Sequence, residues 1–311
     1  MKPQLANDAN LATLKYPLIV QPKIDGVRAL NINGTLTGRS LDPFKGFGIT
    51  EYWSKPEFRY LDGEMTLGPN PASPDRLCSL TTGAMNAFKG VTETPALFWH
   101  VFDWLAEPNL PYRDRYGKLK AYVEKLNHPR VKLVPMYEVH GPSELNHFID
   151  KFFTDGYEGA IIRNPDAPVK EGRPSKVKQE LVRVKPWADT EMLVTGVTEG
   201  EENTNEATTN SLGRTERSSS QEGMIPNGRV GSIQGTLLAD CYSSITGKLL
   251  FPKGLAVTVS KGCMTHDEAR YYFENQHKIV GHIVKFSFME HGTKDLPRFP
   301  GYISHRLKED M

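Results

Sequence analysis

The sequence is poor in cysteine, in long apolar runs and in net charge, and each shortage excludes a class of protein. Its three cysteines, Cys78, Cys241 and Cys263, show no Cys-x-x-Cys spacing, which argues against a zinc site or a disulfide framework and indicates a reducing compartment. No apolar run approaches the ~18 residues that cross a bilayer, and the first ten residues lack the apolar segment of a secretory signal. We therefore expect a cytoplasmic protein, neither secreted nor embedded in a membrane.

The charge balance does not point to a nucleic-acid partner for the chain as a whole. The 311 residues contain 38 basic and 37 acidic side chains, for a net charge of +1, so any polyanion-binding surface must be local. Between residues 160 and 190, seven basic side chains, among them Lys176, outnumber four acidic ones. Such a run is usually a solvated face, but here it precedes a candidate oligonucleotide-binding barrel, which favours a polyanion.

The order of apolar patterns predicts an α+β domain followed by a small β-barrel. Up to about residue 188, strand patterns such as "RYLDGEMTL" and "ALFWHVFDWL" alternate with the helical patterns "GKLKAYVEKL" and "SELNHFIDKFF", for which Ser143 is the expected N-cap. Residues 189–311 carry further strand patterns, "EMLVTGV", "GSIQGTLLADC", "LAVTVSKG" and "HIVKFSF". They enclose one helical stretch in which Thr265 and Glu268 have capping-box spacing. We predict two domains, 1–188 and 189–311, the second an oligonucleotide-binding (OB) fold.

A polar insertion separates the first two strands of the predicted barrel. Residues from about 200 to 230 are rich in Ser, Thr and Asn and nearly free of large apolar side chains. A segment of this composition cannot bury much surface alone, so we expect it to be disordered or ordered by a partner.

A hairpin signal near the start of the chain predicts that two arginines lie opposite each other. Asn33-Gly34 is a strong two-residue turn signal, and its register sets Arg28 opposite Arg39. Like charges so placed are destabilising unless an anion lies between them, and arginine matches phosphate geometry well. The alternatives are that both side chains extend into water, or that Gly38 marks a bulge that shifts the register.

Lys23 is a candidate nucleophile, and two glutamates are candidate metal ligands. A free lysine, with a pKa of ~10.4, is mostly protonated at neutral pH, so we expect neighbouring cations or a metal ion to release its amine for attack. Asp25 lies on the same face of an extended segment as Lys23. Glu64 and Glu158 begin or occupy strand patterns, and two carboxylates beside a phosphate site require a hard divalent cation such as Mg²⁺ between them.

Several short motifs occur in an order that resembles a known enzyme family. They are "KIDGVR", "TGRS", "LDGEM", "FWHVFDW", "EGAIIR", "GRPSK", "LVRVK" and "PRFPGYISHR". The set is similar to the covalent nucleotidyltransferases and, among them, to the small virus-encoded ATP-dependent DNA ligases. The resemblance covers nearly the whole chain. It implies an adenylyltransferase domain of antiparallel sheets with flanking helices (ATP-grasp-like), followed by an OB-fold β-barrel.

The resemblance implies that the protein seals nicks in duplex DNA during replication, repair or recombination. It would use ATP and a divalent metal ion, Mg²⁺ with Mn²⁺ as a substitute. Lys23 would carry AMP as a phosphoramidate, pass it to the 5′-phosphate of a nick, and so allow the 3′-hydroxyl to displace it. The insertion at about 200–230 would be a latch that clasps DNA, and the protein a monomer encircling the duplex.

The resemblance also assigns roles to individual residues. The nucleotide would be bound by Asp25, Glu64, Phe102, Glu158 and Lys185. Phe102 would stack on adenine and Lys185 would contact the α-phosphate, whereas Glu64 and Glu158 would also bind the metal. The basic residues with implied phosphate contacts are Arg28, Arg39, Arg173, Arg183, Arg298 and Arg306. Similar ligases carry a lysine at position 183, so a guanidinium there changes the contact geometry.

Two other enzymes share the same lysine chemistry. RNA ligases and mRNA capping guanylyltransferases both use a K-x-D-G lysine, and the spacing of "EGAIIR" and "GRPSK" together with the insertion favours DNA nick sealing over either. A nucleic-acid-binding module without turnover is a further alternative, but it has no use for the lysine, glutamate and arginine set.

Overall fold

The computed structural model describes residues 1–72, 76–87, 96–175, 177–244, 246–293 and 295–306, so Lys176 lies outside the described residues. The chain divides into two compact units, residues 1–185 and 186–311. No helix among the described residues is both long and apolar enough to cross a membrane.

The first unit is built from two β-sheets and the helices that cover them. Its elements are β1 (Asn7–Asp8), β2 (Leu18–Lys23), β3 (Val27–Leu30), α1 (Phe47–Trp53), β4 (Leu61–Leu67), α2 (Leu77–Met85), β5 (Leu97–Trp104), α3 (Tyr112–Leu126), β6 (Val131–Leu133), β7 (Tyr137–Val139), α4 (Pro142–Thr154), β8 (Gly159–Arg163) and β9 (Leu181–Val184). One sheet has the strand order β1-β9-β8-β2-β7 and the other β3-β4-β5-β6. The chain crosses from the first sheet to the second between Lys23 and Val27, within the segment "KIDGV".

Each sheet of this unit has its own apolar core. Leu145, Ile149 and Phe152 of α4 pack on the five-stranded sheet, as the three- and four-residue spacing of "SELNHFIDKFF" predicts. Trp53 and Trp99 belong to the core of the four-stranded sheet, their ring centroids 5.7 Å apart. These cores fix the strand ends that carry the polar side chains described below.

Two local predictions for this unit are wrong. Gly141, not Ser143, is the N-cap of α4, because Pro142 takes the first helical turn, where its missing N–H costs nothing. The hairpin keeps the predicted Leu30–Thr37 pair, but Thr37 also bridges Pro43. A turn follows, in which the Leu41 N–H donates to the Gly38 carbonyl at 3.0 Å. The ladder therefore ends before Arg39.

The second unit contains a closed five-stranded barrel. Its elements are β10 (Trp187–Asn203), β11 (Ala207–Thr209), β12 (Thr215–Arg217), β13 (Met224–Leu237), β14 (Cys241–Tyr242), β15 (Leu249–Phe251), β16 (Ala256–Ser260), α5 (His266–Glu274), β17 (Ile283–Met289) and β18 (Arg298–His305). The barrel order is β10-β13-β16-β18-β17. The capping box of Thr265 and Glu268 at the start of α5 is confirmed.

The polar insertion forms an arm, defined here as residues 199–230. Strands β10 and β13 continue past the barrel and pair as far as Asn203 and Met224, and β11 pairs with β12 beyond them. Asparagine side chains replace a missing apolar core: Asn203 Nδ2 donates to the Ser218 carbonyl at 2.8 Å, and Asn205 Nδ2 to the Ser220 carbonyl at 2.8 Å. The expected loop is therefore a hairpin with its own hydrogen bonds.

Candidate functional site

The centre of the site in the first unit is a glutamate held between two lysines. Lys23 ends β2, and its carbonyl accepts from the Glu158 N–H at 2.9 Å. Glu158 Oε2 contacts Lys23 Nζ, and Glu158 Oε1 contacts Lys185 Nζ. Burial opposes ionisation of Glu158, which is 2% exposed, but the two ammonium groups outweigh it and lower the pKa of the carboxyl.

A glycine allows the strands to bring these three side chains together. Gly159 pairs with Lys23 across β2 and β8, and a Cβ atom at Gly159 would lie 2.0 Å from the Val184 carbonyl oxygen. No other residue permits this approach of β8 to the end of β9. Lys185, the residue after Val184, is thereby placed beside Glu158.

A second close approach brings Glu64 towards the same site. A Cβ atom at Gly26 would lie 2.2 Å from the Met65 carbonyl oxygen, so the loop after Lys23 packs directly on β4. Burial raises the pKa of Glu64 to about 7, with Glu158 and Asp62 adding to the shift and Lys23 and Arg28 opposing it. Asp25, in the same loop, is buried.

Arg28 lies opposite Glu64, not opposite Arg39. Its guanidinium is held by Asp62, with Nε 2.5 Å from Oδ1 and Nη2 2.6 Å from Oδ2. The predicted Arg28–Arg39 pair is therefore wrong. The hairpin ladder ends after Thr37, so Arg28 has a strand partner only on the β4 side, and Arg39 lies in an exposed turn. Sequence reasoning missed Asp62, although "LDGEM" places a second acid two residues before Glu64.

The aromatic ring of Phe102 has two guanidiniums over it. Arg28 Cζ lies 4.7 Å and Arg163 Cζ 5.4 Å from the ring centroid. Arg163 Nη1 in turn donates to Asp103 Oδ2 at 3.3 Å, and Arg115 Nε donates to Asp103 Oδ1 at 2.8 Å. Asp103, a charged residue inside the apolar strand "FWHVFDW", was the available signal for this buried network.

Gln21 is a further residue that sequence reasoning missed. It precedes Lys23 by two positions on β2 and is 1% exposed. Its Oε1 accepts from the Tyr112 hydroxyl at 2.7 Å, whereas its Nε2 has no hydrogen-bond partner among the described residues. A buried donor without a partner is costly, and a bound ligand with an acceptor would relieve that cost.

The remaining predicted arginines of the first unit have other partners. Arg173 Nη1 donates to the Ala6 carbonyl at 2.8 Å, and Arg183 Nε donates to Asp8 Oδ1 at 2.7 Å. Both side chains are partly or largely exposed, so the Asp8 pair contributes little stability.

Two predicted arginines belong to the second unit. Arg298, at the start of β18, donates from Nη1 to the His291 carbonyl at 3.3 Å. Arg306 donates from Nε to Glu191 Oε1 at 2.6 Å within the barrel unit.

The carboxylates of the first unit suit a hydrated divalent ion. Among the described residues, no group of three His, Cys, Asp or Glu side chains could enclose a metal. Mg²⁺ is commonly bound through one or two carboxylates together with water and substrate phosphate. Glu64, whose pKa is raised chiefly by burial, would hold it, together with Glu158 once one of its oxygens leaves a lysine ammonium group.

Comparison with known proteins places these features in a family. A family model described as the ATP-dependent DNA ligase domain matches residues 3–185. DNA ligases of African swine fever virus, from isolates of Namibian and South African origin, are each 28% identical over 144 residues, which is 45% of this chain and 32% of each relative. The match therefore spans about a third of the length of these relatives.

Two solved structures share the fold. A Chlorella virus DNA ligase-adenylate is 24% identical, covering 99% of each chain with a TM-score of 0.51. A Lig E DNA ligase is 18% identical, covering 98% of this chain and 99% of the other with a TM-score of 0.68. Since the family model covers more than half of the chain, including Lys23, Glu158 and Lys185, the protein belongs to the ATP-dependent DNA ligase domain family.

Proposed function

We propose that the protein is an ATP-dependent DNA ligase that joins the 5′-phosphate and 3′-hydroxyl ends of a nick in duplex DNA. The observation that carries the proposal is the contact of buried Glu158 with the partly exposed Lys23 and Lys185, inside the region that the ligase family model matches. The first unit is then the nucleotidyltransferase domain, and the five-stranded barrel of the second is an OB fold.

In the first step, the Lys23 ammonium group releases a proton to solvent, and the free amine attacks the α-phosphorus of ATP and loses a second proton to solvent as the phosphoramidate forms. A nitrogen–phosphorus bond forms, the bond from the α-phosphorus to the bridging oxygen breaks, and pyrophosphate leaves with that electron pair. Phosphoryl transfer depends mainly on positioning and charge stabilisation. Lys185 neutralises the α-phosphate, and Glu158, already in contact with Lys23 Nζ, orients the nucleophile.

In the later steps the nucleotide moves from protein to DNA. The 5′-phosphate of the nick attacks the adenylate phosphorus and regenerates Lys23; the 3′-hydroxyl then attacks the 5′-phosphate and expels AMP. Arg28, Arg39 and Arg173 bind nick phosphates, and Arg28 must exchange Asp62 for a phosphate or act while held by it. Arg183 adds a further phosphate contact.

The nucleotide is held by groups that surround Lys23. Phe102 stacks on adenine, and Asp25 and Glu64 accept from the ribose hydroxyls or bind the metal. A bound Mg²⁺ would supply charge neutralisation at the phosphates, with Glu64 and Glu158 as its protein ligands and Mn²⁺ as a substitute. Outside this group, Arg298 and Arg306 orient the pyrophosphate. The arm acts as a latch on the DNA, so that one copy of the protein encircles the duplex as a monomer.

The function is tested by following label from nucleotide to protein to DNA. Purified protein is incubated with α-labelled ATP and Mg²⁺ and divided into two portions. One portion is denatured and separated to detect labelled protein, and the other is kept native and mixed with nicked duplex DNA. The proposal expects labelled protein that loses its label as the strands are joined. Label from GTP alone would indicate a capping enzyme, and sealing of nicked RNA but not DNA would indicate an RNA ligase.

The raised pKa of Glu64 makes stability depend on pH in a defined direction. The folded protein retains a proton on Glu64 up to about pH 7, whereas the unfolded chain loses it near the usual 4.5. The contribution of Glu64 to the free energy of unfolding is therefore fully present below pH 4.5 and is lost as pH rises to 7. Urea unfolding from pH 5 to 8 should show Glu64→Gln gaining stability over wild type as the pH increases. A difference that is constant across this range would contradict the assignment.

Removal of the outer arm should weaken DNA binding and spare adenylation. Deleting residues 204–223 makes Asn203 and Met224, which face each other at the end of the ladder, the two loop residues of a shorter hairpin, so the barrel strands keep their register. Adenylate formation is expected at the wild-type rate, while the Kd for nicked duplex increases. Equal affinity of the two proteins would contradict the latch role.

The salt dependence of that binding separates two ways in which the arm could act. The deleted residues 204–223 carry three glutamates and two arginines, so they bring few cations to the DNA phosphates. We expect the slope of log affinity against log salt concentration to stay unchanged on deletion, because that slope counts neutralised phosphates. A markedly shallower slope would show that the arginines of the arm dominate its contact.

A further inference from the structure

Phe299 has an unusual backbone conformation next to Arg298. Its φ angle is 53°, in the left-handed region that bulky residues rarely occupy and retain only where the surrounding structure imposes it. The register explains the conformation: Ser287 pairs with Gly301 and Met289 with Arg298, so two residues of β18 lie opposite one of β17. This is a β-bulge, a device that redirects a side chain.

The ring of Phe299 does not serve the barrel core. The residue is 64% exposed, whereas Phe286 and Phe288 of the neighbouring strand are fully buried in the core. Its observed contact is with Arg298, whose Cζ lies 5.1 Å from the ring centroid. The ring gains nothing from the core and the positive φ angle is unfavourable for it, so the packing of the barrel does not explain a phenylalanine at this position.

Arg298 is confined on its other side by a turn. Its Nη1 donates to the His291 carbonyl, and a Cβ atom at Gly292 would lie 2.6 Å from that same nitrogen. The guanidinium therefore contacts the His291–Gly292 backbone and also the Phe299 ring. Two such contacts restrict the rotamers of a long side chain and reduce the entropy that binding an anion would cost.

We propose that Phe299 is a positioning residue that holds Arg298 ready for the pyrophosphate leaving group in the first step. This inference rests on the proposed function. It assigns no bond-making role to Phe299: the ring restricts the guanidinium through a cation–π contact, and the bulge places the ring there.

The test compares two substitutions at one position. Phe299→Gly removes the ring and suits the positive φ angle, so the folded state is retained and Tm should not fall. Phe299→Trp keeps an aromatic face. We expect Phe299→Gly to slow single-turnover lysyl-adenylate formation about two- to fivefold, the loss that an exposed cation–π contact gives. The rate of sealing a pre-adenylated nick should be unchanged, and Phe299→Trp should restore the first step.

Controls distinguish the failure of this inference from failure of the proposed function. Leu249→Gly removes another exposed apolar side chain of the second unit and should leave both rates unchanged. Arg298→Ala should slow adenylation, and Phe299→Gly should have no further effect in that background. Adenylation of Phe299→Gly at the wild-type rate, or equal slowing of both steps, overturns the positioning role. Absence of adenylate on the wild-type protein overturns the proposed function instead.

Discussion

Lys23→Ala should form no covalent adenylate and, supplied with ATP, should seal no nick whose 5′-phosphate lacks AMP. Alanine has no nucleophile to attack the α-phosphorus, and Lys185, which also contacts Glu158, is assigned to the α-phosphate instead. Mass spectrometry of wild type with ATP and Mg²⁺ should show one AMP, located at Lys23 by peptide analysis. The variant should keep its unmodified mass, with a rate loss that exceeds the detection range, about 10⁴-fold.

Two comparisons make this result specific. Lys15→Ala, an exposed lysine eight positions earlier, should adenylate normally. Lys23→Ala should still join a nick that already carries AMP on its 5′-phosphate, although more slowly, because the later chemistry does not need the lysyl adduct. Adenylate on Lys23→Ala at another residue would refute the nucleophile assignment.

Glu158→Gln should impair both catalysis and stability. The amide keeps the shape of the side chain but leaves the ammonium groups of Lys23 and Lys185 without the anion between them. Breaking a buried ion pair by neutralising one partner typically costs 3–5 kcal/mol. Both lysines are partly exposed, 20% and 17%, so we expect a loss of roughly 3 kcal/mol in urea unfolding and at least a 100-fold slower adenylation.

The pH dependence tests the electrostatic reason for that loss. Since the lysines lower the pKa of Glu158, its contribution to stability is present above the usual carboxyl pKa and is lost as pH falls through the lowered value. Wild type and Glu158→Gln should therefore converge in strong acid. Glu138→Gln, an exposed carboxylate on β7 of the same sheet, is the matched control. A pH-independent difference would indicate a packing defect.

The candidate site could be predicted from sequence because its residues lie in local motifs. Each of Lys23, Glu64, Glu158 and Lys185 lies in a short segment whose own residue pattern predicts a strand. Which strands pair with each other cannot be predicted from such local patterns. The Asn33-Gly34 signal gave the Leu30–Thr37 pair, but it could not show that Arg28 faces β4, and Asp62 becomes relevant only through that pairing.

The second unit shows the same division between local and long-range information. Capping residues identified the start of α5, and apolar alternation identified four strands of the barrel. The fifth, β18, was identified only as a motif, since Pro300 and the bulge at Phe299 interrupt its alternation. The arm was misjudged because asparagine–backbone hydrogen bonds, rather than an apolar core, hold it, and composition alone does not reveal their geometry.

The continuity of β10 and β13 limits how the arm could move. Both strands pass from barrel wall to arm without a loop, so the arm has no flexible joint at its root. The ladder is irregular between Val194 and Gly196, between Thr198 and Glu199, and between Glu199 and Glu201, and interrupted pairing is where a ribbon flexes most easily. Opening for a duplex would therefore be a bend spread over these irregular pairs, and force applied at the tip would reach the barrel directly.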